Sequence, residues 1–294
     1  MAKPAWAHCL DALVGGQLEL VPLRNSQFCE TWQARAGAWR LFVKSAGARP
    51  AGMLHAEAKG LRALARTDTV RVPAVELVVD LPDGGAVLAM EWLDFVEPDA
   101  GFGRGFGQAL AALHASPWPL QAPAFGWGSH HWLGATPQCN TPRQPPTRAG
   151  WLAFQATSRL GCMRNRLPPQ AAELRHAIDA VIEDLPRLLA QAPAPRPALI
   201  HGDLWQGNWG MLADGTPVVL DPAVSCSDPG AELAMMKLFG SPPAGFRAGY
   251  EETGGPWPGP QCTAVYQLYH LLNHVVLFGG GYVRQALRLA RSLA

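Results

Sequence analysis

Apolar and polar residues alternate through the first third of the chain. The runs "QLELVP", "ETWQAR" and "WRLFVK" carry the period of two expected of half-buried antiparallel strands, after a short helix predicted from Pro4 to Leu13. The third run ends in Lys44. The period then lengthens. In "LHAEAKGLRALAR", Leu54, Ala58, Leu61 and Ala65 share one helical face, with Glu57 beside it near the helix start. Two further alternating runs, "AVELVVD" and "AVLAMEW", flank the turn signal "LPDGG" and predict an antiparallel pair. A unit of five strands and one helix is therefore expected before residue 93.

From Leu93 onward helical periodicity takes over, in "FGRGFGQALAALHAS", "GWLAFQATSRLGCMRNRL", "AAELRHAIDAVIEDLPRLLAQA" and the C-terminal run "AVYQLYHLLNHVVLFGGGYVRQALRLARSL". The pattern divides the chain into an N-terminal β lobe, residues 1–92, and a mainly helical C-terminal lobe, residues 93–294. Two irregular zones interrupt the helices, "FGWGSHHWLGATPQCNTPRQPPTRAG" and "LIHGDLWQGNWGMLADGTPVVLDPAVSCSDPG". Irregular segments of this length inside a folded domain are usually functional. The Pro/Ala stretch "QAPAPRPA" reads as a spacer leading into the second, and no repeat of fixed period is present.

Composition narrows the function classes. A chain of 294 residues with 48% hydrophobic content can bury a sizeable core. Its 24 basic and 23 acidic residues leave a formal charge of +1, which gives no footprint for nucleic acid or an anionic membrane and favours a small substrate. No run of 18 apolar residues and no signal-peptide pattern is visible, so a soluble cytoplasmic protein is expected, as a monomer or weak homodimer. The six cysteines are scattered without a CxxC pair, and free thiols are the expectation.

The second irregular zone carries the chemistry. In "IHGDLWQGNW", Asp203 precedes Asn208 by five positions, the D-x-x-x-x-N offset of a phosphotransferase catalytic loop. A hairpin signal at "ADGT" follows, and the strand "PVVLD" delivers Asp221. Magnesium favours hard oxygen ligands, and a hydroxyl nucleophile needs an acceptor near its proton. Asp203 suits the base, with Asn208 and Asp221 as metal ligands. Turn capping by Asp203 and a strand end at Asp221 would explain each residue singly but not their combination with an upstream β lobe ending in a lysine. Lys44 and Glu57 suit the ion pair that positions nucleotide phosphates. His201 reads as a hydrogen-bonding strut for the loop, Trp209 as a brace, and His270 and His274 as packed on an apolar helix face.

Together, "HGDLWQGNW", "VVLDPAVSCSDPGAELAMMKLFG", "FGWGSHHWLGATPQCNTP" and "YQLYHLLNHVVLFGGGY" resemble the fructosamine kinase (ketosamine 3-kinase) family, with the match spread over most of the chain from Phe42 onward. The resemblance implies an α+β, two-lobed fold similar to protein kinases and aminoglycoside phosphotransferases. It also implies ATP- and Mg2+-dependent phosphorylation of the 3-hydroxyl of a free or protein-bound ketosamine such as fructosamine or ribulosamine, a deglycating repair. By motif position Lys44 binds phosphate with Glu57 as its partner, and Glu91, Trp92 and Leu93 form the hinge that receives adenine. Asp203 is the base, Asn208 and Asp221 hold magnesium, and Trp205 faces the substrate. The alternatives are a phosphotransferase for an aminoglycoside or amino alcohol and a nucleotide-binding module without catalysis.

The chain departs from the family pattern in three places. The loop "LRNSQFCETW" lacks the glycine cluster that covers phosphates, leaving contact through Ser26, Gln27 and Phe28. Pro229 and Gly230 stand where Arg-Glu is typical and Glu232 where Asp is, which predicts loss of a polar anchor near the site. "NTPRQPPTRAGW" is rearranged ahead of its helix. The bulk of Trp127, Trp132 and Trp205 leads to an expected preference for ribulosamine over fructosamine.

Overall fold

In a computed structural model, which describes residues 4–23, 28–48, 52–117, 124–143 and 145–293, the N-terminal lobe is a five-stranded antiparallel sheet. Its strands are β1 (Glu19–Pro22), β2 (Glu30–Ala36), β3 (Trp39–Ala46), β4 (Val75–Asp80) and β5 (Ala86–Glu91), in the order β1-β2-β3-β5-β4. Strand parity sorts the side chains. Leu41 and Val43 of β3 face an outer core closed by Trp6, Ala7 and Leu10 of the N-terminal helical segment, which includes α1 (His8–Val14). Phe42, Lys44 and Ala46 face the other way, toward the core built on helix α2 (Met53–Ala65). Lys44 thus projects into the protein because of its place in the alternation.

The chain leaves the sheet after Glu91 and pairs again as β6 (Phe95–Val96), already with the later strand Trp209–Leu212 of the other lobe. Helix α3 (Phe102–Ala115) follows, then the short hairpin of β7 (Trp132–Leu133) and β8 (Thr136–Pro137). Helix α4 (Arg148–Phe154), a π-helical turn (Gln155–Leu160) and α5 (Gly161–Arg166) form one run, succeeded by α6 (Ala172–Glu183) and the single turn α7 (Leu185–Leu188). Strands β9 (Ala198–Ile200), β10 (Trp209–Leu212), β11 (Pro217–Val219) and β12 (Ser225–Ser227) come next. The last helices are α8 (Pro229–Met236), α9 (Phe246–Glu252), α10 (Pro260–Phe278) and α11 (Gly281–Leu293).

The two-lobed α+β architecture is as expected, and so is the "ADGT" hairpin, which joins β10 to β11. The C-terminal helical run is two helices rather than one, because Gly279 and Gly280 both take left-handed φ values of 61° and 56°. One apolar core continues across both lobes, from Ala46, Leu54 and Leu61 to Phe106, Leu204, Leu233 and Phe246. No helix among the described residues is long and apolar enough to cross a membrane.

The expectation of free thiols fails for one pair: Cys139 and Cys162 form a disulfide, with Cα atoms 6.4 Å apart. The segment after β8 packs against α5 and brings together residues 23 positions apart, a contact that cysteine spacing alone does not reveal. Cys226 and Cys262 are buried thiols, each pushed up to about 12 by loss of hydration.

Candidate active site

Residues 201–208 run between β9 and β10 and are held by backbone bonds on both sides. The Ala223 amide donates to the His201 carbonyl at 2.8 Å, and the Leu220 amide to the Asn208 carbonyl at 2.9 Å. His201 is fully buried. Its Nδ1 accepts from the Asp203 amide at 3.3 Å, so Nε2 carries the proton and donates to the Leu220 carbonyl at 2.6 Å. Burial holds the ring below the ordinary histidine range, as a neutral strut requires. Gly202 has φ of 86°, and a Cβ there would run into the Ala223 carbonyl oxygen, so only glycine fits before Asp203.

The anchor expected to be lost is present. Glu232, buried in α8, accepts from the His201 amide at 3.0 Å, the Gly202 amide at 2.7 Å and His114 Nε2 at 3.0 Å. Burial pushes this carboxyl up, but His114, His201 and the Gly202 amide outweigh it and hold it below its ordinary value. The longer glutamate reaches both amides from the first turn of a helix begun by Pro229 and capped by Asp228, whose side chain accepts from the Gly230 amide.

Lys44 Nζ donates to Glu57 Oε1 at 2.8 Å and to Asp221 Oδ1 at 2.6 Å. This triad ties β3, α2 and the end of the "PVVLD" strand together across the two lobes. Burial works against the ammonium, but Asp221 and then Glu57 override it and raise the lysine above its usual range. Burial drives Glu57 upward against the pull of Lys44. Asn208 Nδ2 donates to the Asp203 carbonyl at 2.7 Å and lies 3.4 Å from Asp203 Oδ2. Loss of hydration, then the neighbouring Asp221 charge, pushes Asp203 up to about 7.

A cavity of about 550 Å³ is lined by Lys44, Glu57, Asp203, Trp205, Asn208 and Asp221 together. Trp205 lies against Gly207, where any Cβ would strike its ring, and remains 40% exposed. Trp209 instead packs on Phe102 and Phe106 at 5.5 and 5.8 Å, the expected brace. Phe28 and Trp132 also line the cavity; Ser26 and Gln27 lie outside the described residues. Trp127 belongs to a separate cleft beside Lys59 and Arg166, which removes it from the bulk invoked for sugar preference.

Glu91, Trp92 and Leu93 do not line this cavity. The Glu91 amide donates to the Ala74 carbonyl and the Trp92 amide to the Arg40 carbonyl, at 2.9 and 3.1 Å. The Glu91 carboxylate pairs with Arg71, whose backbone bridges to β11. Sequence reasoning missed this strut, together with His114 and the anchoring that Glu232 keeps, because side chains far apart in the chain give no periodic signal. It also missed that Gln138 Nε2 donates to the Ala223 carbonyl at 3.0 Å, two residues beyond Asp221.

The donor set fits nucleotide-borne magnesium. Such an ion keeps phosphate and water oxygens and takes only one or two from the protein, and Asp221 and Asn208 supply hard oxygens of that kind. No cluster of three or more His, Cys, Asp or Glu arranged as a metal cage occurs among the described residues. The combination of a buried lysine, adjacent carboxylates and a further carboxylate on a tethered loop defines a phosphotransferase.

The fructosamine kinase family model matches residues 18–294, and the chain belongs to that family. A probable ketoamine kinase of Synechocystis is 40% identical over 256 residues, covering 87% of this chain and 83% of the relative. A chloroplastic protein-ribulosamine 3-kinase of indica rice is 33% identical over 272 residues, covering 90% and 74% respectively. The crystal structure of a candidate fructosamine-3-kinase from Thermobifida fusca superposes with a TM-score of 0.82 at 30% identity, covering 99% of each chain.

Proposed function

We propose that this enzyme phosphorylates the 3-hydroxyl of ketosamines at the expense of ATP, as a deglycation repair activity. The observation that carries the reading is the meeting of Lys44, Glu57, Asp203, Asn208, Asp221 and Trp205 in one cavity, within a chain whose relatives include a protein-ribulosamine 3-kinase. ATP with magnesium supplies the phosphoryl group and the neutralisation of its oxygens. Lys44, fixed by Glu57 and Asp221, positions the phosphates, while Asn208 and Asp221 would hold the ion. Adenine is assigned to the backbone of the stretch from Glu91 to Leu93, through groups other than the bonded amides of Glu91 and Trp92.

Asp203 orients the acceptor hydroxyl and takes its proton. A carboxyl near neutrality suits this task, because a base works best when its pKa lies close to the operating pH. An aminoglycoside acceptor fits less well. The acids lining the cavity are Glu57, Asp203 and Asp221, each already placed in the transfer machinery, so none is spare for a polycation.

The test is direct. The protein is incubated with ATP, magnesium and ribulosamine, fructosamine and erythrulosamine adducts, with kanamycin and choline as contrasts, and phosphate is located by mass spectrometry. Phosphate at C3 of a ketosamine is expected. Phosphorylation of kanamycin or choline, with none on any ketosamine, would transfer the assignment to the other acceptors.

A further inference from the structure

Besides the catalytic residues, the cavity is lined by Phe239, His274, Phe278 and Tyr282. They come from the segment after α8, the end of α10 and the start of α11. His274 and Phe278 lie one helical turn apart, and the left-handed pair Gly279 and Gly280 turns the chain so that Tyr282 folds back onto both. Ring centroids are 4.4 Å apart for Phe239 and His274, 4.9 Å for His274 and Tyr282, 5.4 Å for His274 and Phe278, and 6.0 Å for Phe278 and Tyr282. All fall in the range of interacting aromatic pairs.

The cluster is not simply core. Phe278 is 46% exposed, the most exposed of the large hydrophobic side chains among the described residues. Single exposed phenylalanines need no explanation, but this one belongs to a group of four rings on the wall of the catalytic cavity. His274 Nδ1 donates to the His270 carbonyl at 2.9 Å, and burial holds its ring below the ordinary range, so the group carries no positive charge at neutral pH. Aromatic faces present negative potential to a cation. The ionisable acids and lysine of the cavity are occupied by phosphoryl transfer, as set out above.

Resting on the ketosamine kinase reading, we propose that Phe239, His274, Phe278 and Tyr282 form the subsite for the amine-borne half of the substrate, receiving its protonated nitrogen and apolar substituent. In a ketosamine the nitrogen sits on C1, two carbons from the hydroxyl that reacts. A 3-hydroxyl at Asp203 therefore carries the nitrogen into the same cavity and sends the substituent onward to its wall. Sugar hydroxyls would find few partners there, since only the Tyr282 hydroxyl and the second His274 nitrogen are polar. The rings thus select substrates by the amine rather than by the sugar.

The experiment compares N-methyl and N-benzyl ribulosamine in the parent protein and in Phe278→Ala, Tyr282→Ala and Phe278→Tyr. The parent is expected to show a KM for the benzyl adduct ~10-fold below that for the methyl adduct. Either alanine variant should raise the KM of both adducts, since both lose a ring facing the shared nitrogen, and raise the benzyl KM ~10-fold more than the methyl KM, while Phe278→Tyr should keep the parental preference. Equal KM changes for both adducts, an unchanged benzyl KM, or no preference in the parent overturns the subsite while leaving the kinase reading intact. If the parent phosphorylates neither adduct nor any other ketosamine, the kinase reading falls and the subsite with it.

Discussion

The base role proposed for Asp203 asks it to keep a fixed position while its carboxylate remains able to take a proton, and its neighbours supply the fixed position. His201 and Glu232 hold the backbone through buried hydrogen bonds, Gly202 makes the approach to Ala223 sterically possible, and Asn208 binds the Asp203 carbonyl. The Asp203 side chain therefore contributes little to holding the loop. Asp203→Asn is expected to lower turnover by ~10²–10⁴, the usual loss on removing a general base, with a melting temperature no lower than that of the parent. A turn-capping role makes the opposite demand: stability lost, activity per folded molecule kept. Single-turnover phosphorylation by the Asn variant within a few-fold of the parent, on the order of 1 kcal/mol of barrier, would remove Asp203 from the base position. The offset of Asp203, Asn208 and Asp221 was legible in the sequence because a loop between two short strands keeps local spacing. Glu232 was legible only as a departure. That it still anchors the loop depends on the reach of its side chain from a helix on another part of the chain, which spacing does not encode.

At the scale of elements, α3 lies beneath β9 and β11 and packs on α9 with glycine in place of side chains. A Cβ on Gly103 would strike the Ala244 carbonyl, one on Gly107 the Phe246 carbonyl, and one on Gly249 the Arg104 carbonyl. Gly105 lies on the exposed side of α3 with nothing within 4 Å. The same substitution should thus have opposite signs two residues apart. Gly107→Ala is expected to destabilise the fold by ~1–3 kcal/mol or more through overpacking. Gly105→Ala should stabilise it by ~0.5–1 kcal/mol, because alanine restricts the unfolded chain at no steric cost. Urea unfolding of both variants checks this, and shifts of the same sign would mean that the helices do not approach through Gly107. Elements with a clear period, such as β2, β3, α2 and α3, were legible because one face of each is buried. Strands β9 and β12 were not: they are three residues each, buried at every position, and carry no alternation. Helix α9 lies in a glycine- and proline-rich stretch where its packing partner, rather than its own sequence, supplies the driving force.

Across the whole molecule, buried ionisable groups pull stability in opposite directions with pH. Burial pushes His270 down to about 3 and His131 down to about 4. An unfolded histidine titrates near ~6.5, so the unfolded chain binds more protons below that pH. Each ring therefore contributes stability that is complete above ~6.5 and lost as pH falls toward its folded value. Asp203 and Asp228 act in the other sense, since burial pushes them up to about 7 and about 6. Their contribution is present below the unfolded value near ~3.9 and is lost as pH rises through the folded one. The melting temperature of the parent alone mixes these terms, and a variant separates them. His270 sits in α10 with its ring edge against Tyr269 at 5.2 Å and does not line the cavity that holds Lys44, Asp203 and Asp221. His270→Gln keeps a polar side chain of similar length but cannot take up a proton. The variant is expected to be less stable than the parent at pH 7.5, and the gap should close by up to ~1.4 kcal/mol per unit as pH falls from ~6.5 toward 5. That corresponds to ~2–4 °C per pH unit, readable by scanning calorimetry in matched buffers. A gap that stays constant from pH 7.5 to 5 would show that His270 titrates alike in the folded and unfolded chains, and that its burial carries no proton linkage.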